Sequence, residues 1–175
     1  MTTRYFDVVN KEYYPAMFDF RCKNNFFSIY LKSTALYDRE SNLGTTHLFL
    51  EEDENNKGKK RVIGFYTLKN TSLVFKEDDE NTRLGYPAIE ISQFATHEDL
   101  ERTGIGTIMI NNIIATTHEL TNISAIKYIV LCSVDDSIEF YEKMEFEFLD
   151  DKKMFIPREN LNKNCRAMFK HINLK

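Results

Sequence analysis

The run Ile89-Glu90-Ile91-Ser92-Gln93-Phe94-Ala95-Thr96, followed by His97 to Thr103 and then Gly104-Ile105-Gly106-Thr107-Ile108-Met109, changes character in its middle. Its first part is a short apolar run with Ile, Phe and Thr, bounded by polar residues, which is strand chemistry. Past Gly104, the residues Ile105, Ile108, Met109 and Ile113 recur at helical spacing, with Asn112 and Thr116 between them. A turn with two glycines at its end joins the halves. Helix N-termini attract anions, because several unbonded N–H groups and the positive end of the macrodipole point the same way. Glycine there lets a bulky phosphate approach the backbone without meeting a Cβ. The run therefore reads as a strand, a phosphate cradle and a helix.

Two familiar cradles do not match. A P-loop needs Lys and Ser/Thr after its last glycine, and Gly106 is followed by Thr107-Ile108. A dinucleotide fingerprint needs a third small residue where Met109 stands, and it opens the first βαβ unit rather than falling past mid-chain. Phe94-Ala95-Thr96, then a short spacer, then Glu101-Arg102-Thr103-Gly104-Ile105-Gly106, instead resembles a pattern of the GNAT superfamily of N-acetyltransferases. There a Leu-Ala-Val strand precedes Gln/Arg-x-x-Gly-x-Gly/Ala, the loop that holds the pyrophosphate of acetyl-CoA. Downstream, Phe140-Tyr141-Glu142-Lys143-Met144-Glu145-Phe146 is similar to the family's Phe-Tyr-x-x-x-Gly-Phe. The two motifs stand in the family order and cover residues 87 to 150. Glu101 stands where the family prefers Gln or Arg, Glu145 where it prefers Gly, and Val134 near a position where many members have Asn or Asp.

Composition agrees with one globular domain over residues 1–175. Hydrophobic residues make up 42% and charged residues 29%, enough apolar chain for a core and too little for a membrane protein. Met1-Thr2-Thr3-Arg4-Tyr5 has no apolar core, so no signal peptide is expected, and no run is long enough to span a bilayer. Asn70-Thr71-Ser72 and Asn122-Ile123-Ser124 match glycosylation acceptors, which without secretion are chance matches. Cys22, Cys132 and Cys165 are scattered, without Cys-x-x-Cys, and read as free thiols in a reducing cytoplasm. The four histidines share no ligand spacing, so no metal site is expected. A formal net charge of −4 and the lack of a basic stripe argue against a nucleic-acid partner.

Outward from the cradle, residues 4–9 read as a first strand, and residues 25–39 as a helix with Phe27, Tyr30/Leu31 and Thr34/Ala35 on one face, stopped at Gly44. Residues 46–51 and 61–68 read as an antiparallel pair joined by the charged loop that contains Lys57-Gly58-Lys59-Lys60-Arg61. Lys76 to Asn81 reads as another solvated connector. After the cradle helix come a buried strand at 127–134 and a short helix with Asp136 as N-cap and Glu139 three residues on, a capping-box pattern. Strands at 146–149 and 167–172 follow, with a loop at 157–164 between them. The order β-α-β-β-β-α-β-α-β-β gives an α/β (α+β) fold: a mixed, mostly antiparallel sheet flanked by helices. The resemblance implies the same acyl-CoA N-acyltransferase fold. A C-terminal strand at a sheet edge is open to pairing across a homodimer.

Acetyl transfer to an amine requires a held cofactor, a deprotonated amine, donors for the tetrahedral oxyanion and an acid for the leaving thiolate. The resemblance implies that Glu101, Arg102, Thr103, Gly104, Ile105, Gly106 and Thr107 hold acetyl-CoA, largely through backbone N–H groups. It also implies that the pantetheine pairs with backbone groups at Phe94, Ala95 and Thr96, where the N–H of Phe94 or Ala95 supplies an oxyanion donor worth roughly 3 kcal/mol. Glu90 lies six residues before Thr96, the spacing of the base in the histone-acetylating branch of the family. Strand alternation groups it with Ser92, Phe94 and Thr96. Its alternatives are a solvent-facing carboxylate after Pro87 and a chain of waters acting as base. Tyr141 matches the family tyrosine, and a phenol titrating near ~10 can protonate a thiolate; its alternative is core packing beside Phe140 and Met144. The expected activity is acetyl-CoA-dependent acetylation of a primary amine on a small molecule, peptide or protein. The alternatives are a toxin-type acetyltransferase acting on aminoacyl-tRNA, which residues 20–50 and then Gly64-Phe65-Tyr66-Thr67-Leu68 resemble, and a non-catalytic acyl-CoA-binding regulatory module.

Overall fold

The structure is a computed structural model and describes residues 2–53, 55, 59–76, 83–157 and 165–173. The chain forms two compact units, one of residues 1–69 and 92–112 and the other of residues 70–91 and 113–175. Its strands are β1 (Thr2–Val8), β2 (Thr45–Asp53), β3 (Lys60–Lys76), β4 (Arg83–Thr96), β5 (Tyr128–Ser133), β6 (Glu147–Phe148), β7 (Met154–Phe155) and β8 (Arg166–His171). Its helices are α1 (Tyr14–Asp19), α2 (Asn25–Ser33), α3 (Ala35–Glu40), α4 (Ile105–Leu120) and α5 (Ile138–Lys143). The strands hydrogen-bond in the order β1-β2-β3-β4-β5-β8-β6, with β7 on β3. β4 and β5 run parallel, whereas β1–β2, β2–β3, β3–β7, β5–β8 and β6–β8 are antiparallel. This is the mixed, mostly antiparallel α/β architecture expected.

In the first unit, β2 buries Thr46, Leu48 and Leu50 at alternate positions, as period-two side chains require. Leu31 of α2 and Met17 of α1 join them with Phe20, whose ring meets Phe65 edge-on at 5.4 Å. Truncating Leu31 or Leu48 to Ala, both 0% exposed, would cost about 2–5 kcal/mol. The helix expected over 25–39 is two helices. Asn24 caps α2 by accepting from the Phe26 N–H at 3.0 Å. At Thr34 the backbone leaves helical geometry (φ −122°), and α3 restarts. The stop after α3 uses Asn42 at φ 55° rather than Gly44. Helix α1 was not legible as a helix; Asn10 caps the 3-10 turn Lys11–Tyr13 that leads to it, and Pro15 stands in its first turn.

In the second unit, Tyr128 on β5 is the hub. Its ring meets Tyr86, Phe169 and His171 edge-on at 6.1, 5.8 and 5.3 Å, and Lys127 lies 4.0 Å over Tyr86. Leu73, Ala88, Val130 and Ile156 complete this core. Two expectations are corrected here. Cys132 and Cys165 are not free thiols but a disulfide, because antiparallel pairing of β5 with β8 puts Cys132 opposite Ala167 and brings their Cα atoms to 5.5 Å. Cys22 is free. Nor is the C-terminal strand an open edge: β8 lies between β5 and β6, with Phe169 opposite Glu147 and Met168 opposite Phe148. That removes the stated ground for pairing across a homodimer at those residues.

Smaller differences have local causes. β3 runs past Leu68 to Lys76, where Val74 and Phe75 gain a partner in β7. Helix α5 starts at Ile138 with Ser137 in the cap position, so Asp136 is not the cap; it lies in the 3-10 turn Asp135–Ser137. Glu139 instead pairs with Lys143 one turn on, at 2.7 Å. Residues 54, 56–58, 77–82 and 158–164, which hold most of the expected loops, lie outside the described residues. Among the described residues, no helix is long and apolar enough to cross a membrane.

Candidate active site

The Gly-containing turn stands where the sequence put it, at the N-terminus of α4. Ile105, Met109, Ile110 and Ile113 are buried and anchor the helix, whereas Ile108 is 43% exposed and belongs to the outer face. Gly64 of β3 permits the approach of α4: a Cβ there would stand 2.8 Å from Met109 Sδ and 3.2 Å from the Ala95 carbonyl. Strand β3 bulges at Ile63, since Gly64 pairs with Phe49 and Val62 with Leu50. Glu101, Arg102, Thr103 and Gly104 are all exposed. Arg102 has φ 60° and Gly104 φ 89°, so the chain turns through two left-handed residues before the helix begins. The Ile108 N–H closes the first helical turn on the Gly104 carbonyl at 3.1 Å. The amides just before it, at Ile105, Gly106 and Thr107, are those an α-helix leaves without intrahelical partners. Nothing lies within 4 Å of a Cβ placed on Gly104, so the surface above the turn is open.

Strand β4 leads into this turn with the expected alternation. Ile89, Ile91 and Ala95 are buried, while Glu90, Ser92, Phe94 and Thr96 are partly exposed and share the other face. The β4–β5 register runs from Ala88 opposite Tyr128 to Ile91 opposite Leu131, and pairs Glu90 with Val130. The expected cofactor residues, Phe94 to Thr96 and Glu101 to Thr107, fall together in the first unit. Glu90 and Tyr141 fall in the second.

Tyr141 is held by the end of its own helix. The Phe146 N–H donates to the Tyr141 carbonyl at 3.0 Å and the Glu145 N–H to the Glu142 carbonyl at 2.9 Å, with Glu145 at φ 62°. That is a Schellman motif, and its usual apolar contact is present as the Tyr141 and Phe146 rings, edge to face at 5.7 Å. The second sequence motif thus has a physical meaning: a tyrosine three places before the cap, a left-handed residue after it, then an aromatic lid. Glycine is the preferred left-handed residue; here Glu145 takes the position and pairs with Lys170 at 2.7 Å, and Lys170 also donates to the Met144 carbonyl. Tyr141 is buried, and that burial pushes its phenol above the ordinary value, so it stays protonated at neutral pH.

Sequence reasoning missed the residues that fix the cradle turn from beneath. His97 is 7% exposed and meets Phe20 edge-on at 5.6 Å. Its Nδ1 accepts from the Asp99 N–H at 3.3 Å, capping the 3-10 turn Glu98–Leu100. Arg61 places Nη2 3.1 Å from the same Nδ1 and 2.7 Å from the Asp99 carboxylate. The backbone is tied as well, His97 N–H to the Ile63 carbonyl at 2.9 Å and Glu98 N–H to the Arg21 carbonyl at 3.0 Å. The available signal was a polar residue directly before Glu98-Asp99, an N-cap position.

The model of the acetyltransferase (GNAT) family matches residues 9–146. The chain therefore belongs to the GNAT acetyltransferase family. Among solved structures, it resembles a tyrosine-to-phenylalanine mutant of the AtaT toxin bound to the C-terminus of the antitoxin AtaR and acetyl-CoA, with 13% identity over 97% of this chain and 93% of that one and a TM-score of 0.74. A mutant of KacT matches at 11% identity over 97% and 95%, TM-score 0.76. AtaT complexed with acetyl-methionyl-tRNAfMet matches at 12% over 97% and 95%, TM-score 0.73. At these identities the likeness is one of fold. No curated protein matches the chain at a significant level.

Proposed function

We propose that the protein transfers the acetyl group of acetyl-CoA to a primary amine. The observation that carries this reading is the open α4 N-terminus, with Gly104 left-handed and exposed, inside the span matched by the acetyltransferase family. Amides from Glu101 to Thr107 bind the pyrophosphate, and the exposed Arg102 offsets the charge that Glu101 brings. Phe94, Ala95 and Thr96 present backbone groups to the pantetheine and the thioester. Glu90, directly or through water, takes the ammonium proton. The amine lone pair then attacks the thioester carbonyl, and the resulting oxyanion is held by the Phe94 or Ala95 N–H. As the C–S bond breaks, Tyr141 gives its proton to the thiolate, and the proton still held by the attacking nitrogen returns through water to the Tyr141 phenolate, which leaves a neutral amide and free CoA thiol; the raised pKa keeps the phenol protonated until then. Steady-state turnover of acetyl-CoA against polyamines, amino acids, aminoglycosides and peptides tests the reading. Turnover with one class is expected, and absence of turnover with all of them, in protein that binds acetyl-CoA, would favour a non-catalytic module.

A second reading is favoured by one observation: AtaT, solved with an acetylated aminoacyl-tRNA, shares this fold across nearly the whole chain. Under it, the acceptor is the α-amine of an aminoacyl-tRNA. The formal charge of −4 opposes it, because phosphate contacts require clustered cations. Binding to tRNA that weakens steeply between 50 and 200 mM salt, about 10³-fold or more for six phosphate contacts, would support it; weak, salt-insensitive binding would reject it.

A further inference from the structure

From the geometry we infer that His97 is a positioning residue for the cofactor turn, and that its protonation loosens acetyl-CoA binding in acid. This rests on the reading that the turn binds acetyl-CoA. Two donors reach one ring nitrogen: the Asp99 N–H donates to Nδ1 at 3.3 Å, and Arg61 Nη2 lies 3.1 Å from Nδ1 against 3.5 Å from Nε2. Only an unprotonated Nδ1 can receive them, so the neutral ring carries its proton on Nε2. The bond to Asp99 caps the turn Glu98–Leu100, and the Leu100 carbonyl in turn accepts from Thr103 Oγ1 at 2.7 Å, one residue before Gly104. His97 is thus linked by successive hydrogen bonds to the start of the cradle.

A proton on Nδ1 would turn the acceptor into a donor facing two donors, with the Asp99 carboxylate 3.6 Å away as an acceptor that only partly offsets them. The cap would be lost, and the imidazolium would face the Arg61 guanidinium. The charged groups around the ring are Arg61 from β3, Arg21 from the segment after α1, and Glu98 and Asp99 from its own turn. Burial, then Arg61, hold His97 below its usual value, and Asp99 and Glu98 only partly oppose this. The sign follows. The unfolded chain takes this proton first as pH falls below about 6.5, so the contribution of His97 to stability declines from there. The cap itself opens only as pH passes the lower value of the folded protein.

The test is calorimetric affinity for acetyl-CoA from pH 7.5 to 5 in four proteins. Wild type is expected to bind at pH 7.5 and to weaken in acid. His97→Leu keeps bulk against Phe20 but has no acceptor, and should bind about tenfold more weakly at pH 7.5, the scale of a lost N-cap. His97→Asn restores an acceptor suited to capping and should recover most of that affinity while losing the acid decline. Arg61→Met removes an exposed cation that holds the His97 pKa down, so its acid decline should begin at higher pH; a purely structural role would not move that midpoint. The phosphate titration of acetyl-CoA is common to all four and cancels in ratios to wild type. Equal affinities and superimposable pH profiles in folded variants would overturn the inference. A wild-type protein that binds no acetyl-CoA at any pH would instead overturn the reading on which it rests.

Discussion

Replacing Gly104 by alanine separates what the cradle turn costs from what it does. Gly104 sits at φ 89°, a conformation with a Cβ penalty, yet nothing lies within 4 Å of the added carbon. Steric collision therefore contributes nothing, and the cost is that of the left-handed backbone alone, about 1–2 kcal/mol. For a chain of this size that lowers the melting temperature by roughly 2–8 °C. The turn can escape the strain by relaxing Gly104 toward negative φ, which re-aims the amides that follow. A misdirected charge-assisted amide–phosphate bond is worth about 1.5–3 kcal/mol, or a loss of affinity on the order of ten- to a hundredfold. Thermal unfolding and titration with acetyl-CoA measure the two effects on one sample. A variant with unchanged melting temperature and unchanged affinity would refute the strained-cradle reasoning.

Tyr141→Phe keeps the ring contacts with Phe140 and Phe146 and removes the hydroxyl, so kcat should fall about 10²- to 10⁴-fold with KM for acetyl-CoA little changed; wild-type turnover would make Tyr141 a core residue only. Glu90→Gln should lose kcat at neutral pH and recover as pH rises toward the amine pKa near ~10, where free amine forms without a base; a flat ratio to wild type across that range moves the role elsewhere. Reducing the Cys132–Cys165 bond, with a sequence separation of 33 residues, should lower unfolding stability by about 3–4 kcal/mol on the loop-entropy estimate. Denaturant curves that coincide with and without dithiothreitol would refute that stabilisation.

Those expectations differ in how far the sequence alone supports them. The strand, glycine turn and helix at 89–120 were legible because period and turn chemistry switch within a few residues. The motif at Tyr141 was legible as a pattern, and its cause emerged only with Glu145 at positive φ and Phe146 against the tyrosine ring. The disulfide was not legible, since register between β5 and β8 brings together cysteines far apart in the chain. Nor was the break at Thr34, because apolar periodicity continues from Leu31 to Ala35 through it while the backbone leaves helical geometry there. His97 was overlooked for a related reason. A histidine before two acids looks like surface, and only the fold puts Phe20 and Arg61 against it.

The central claim is that the turn at Gly104 and Gly106 is an acetyl-CoA site, and titration calorimetry of wild type beside Gly106→Val tests it most directly. Gly106 lies in the first turn of α4, where valine is tolerated by the helix but places a branched side chain among the amides offered to the pyrophosphate. The account predicts saturable binding by wild type and none by a Gly106→Val protein that unfolds as cooperatively as wild type. Equal affinity in the two folded proteins would contradict it.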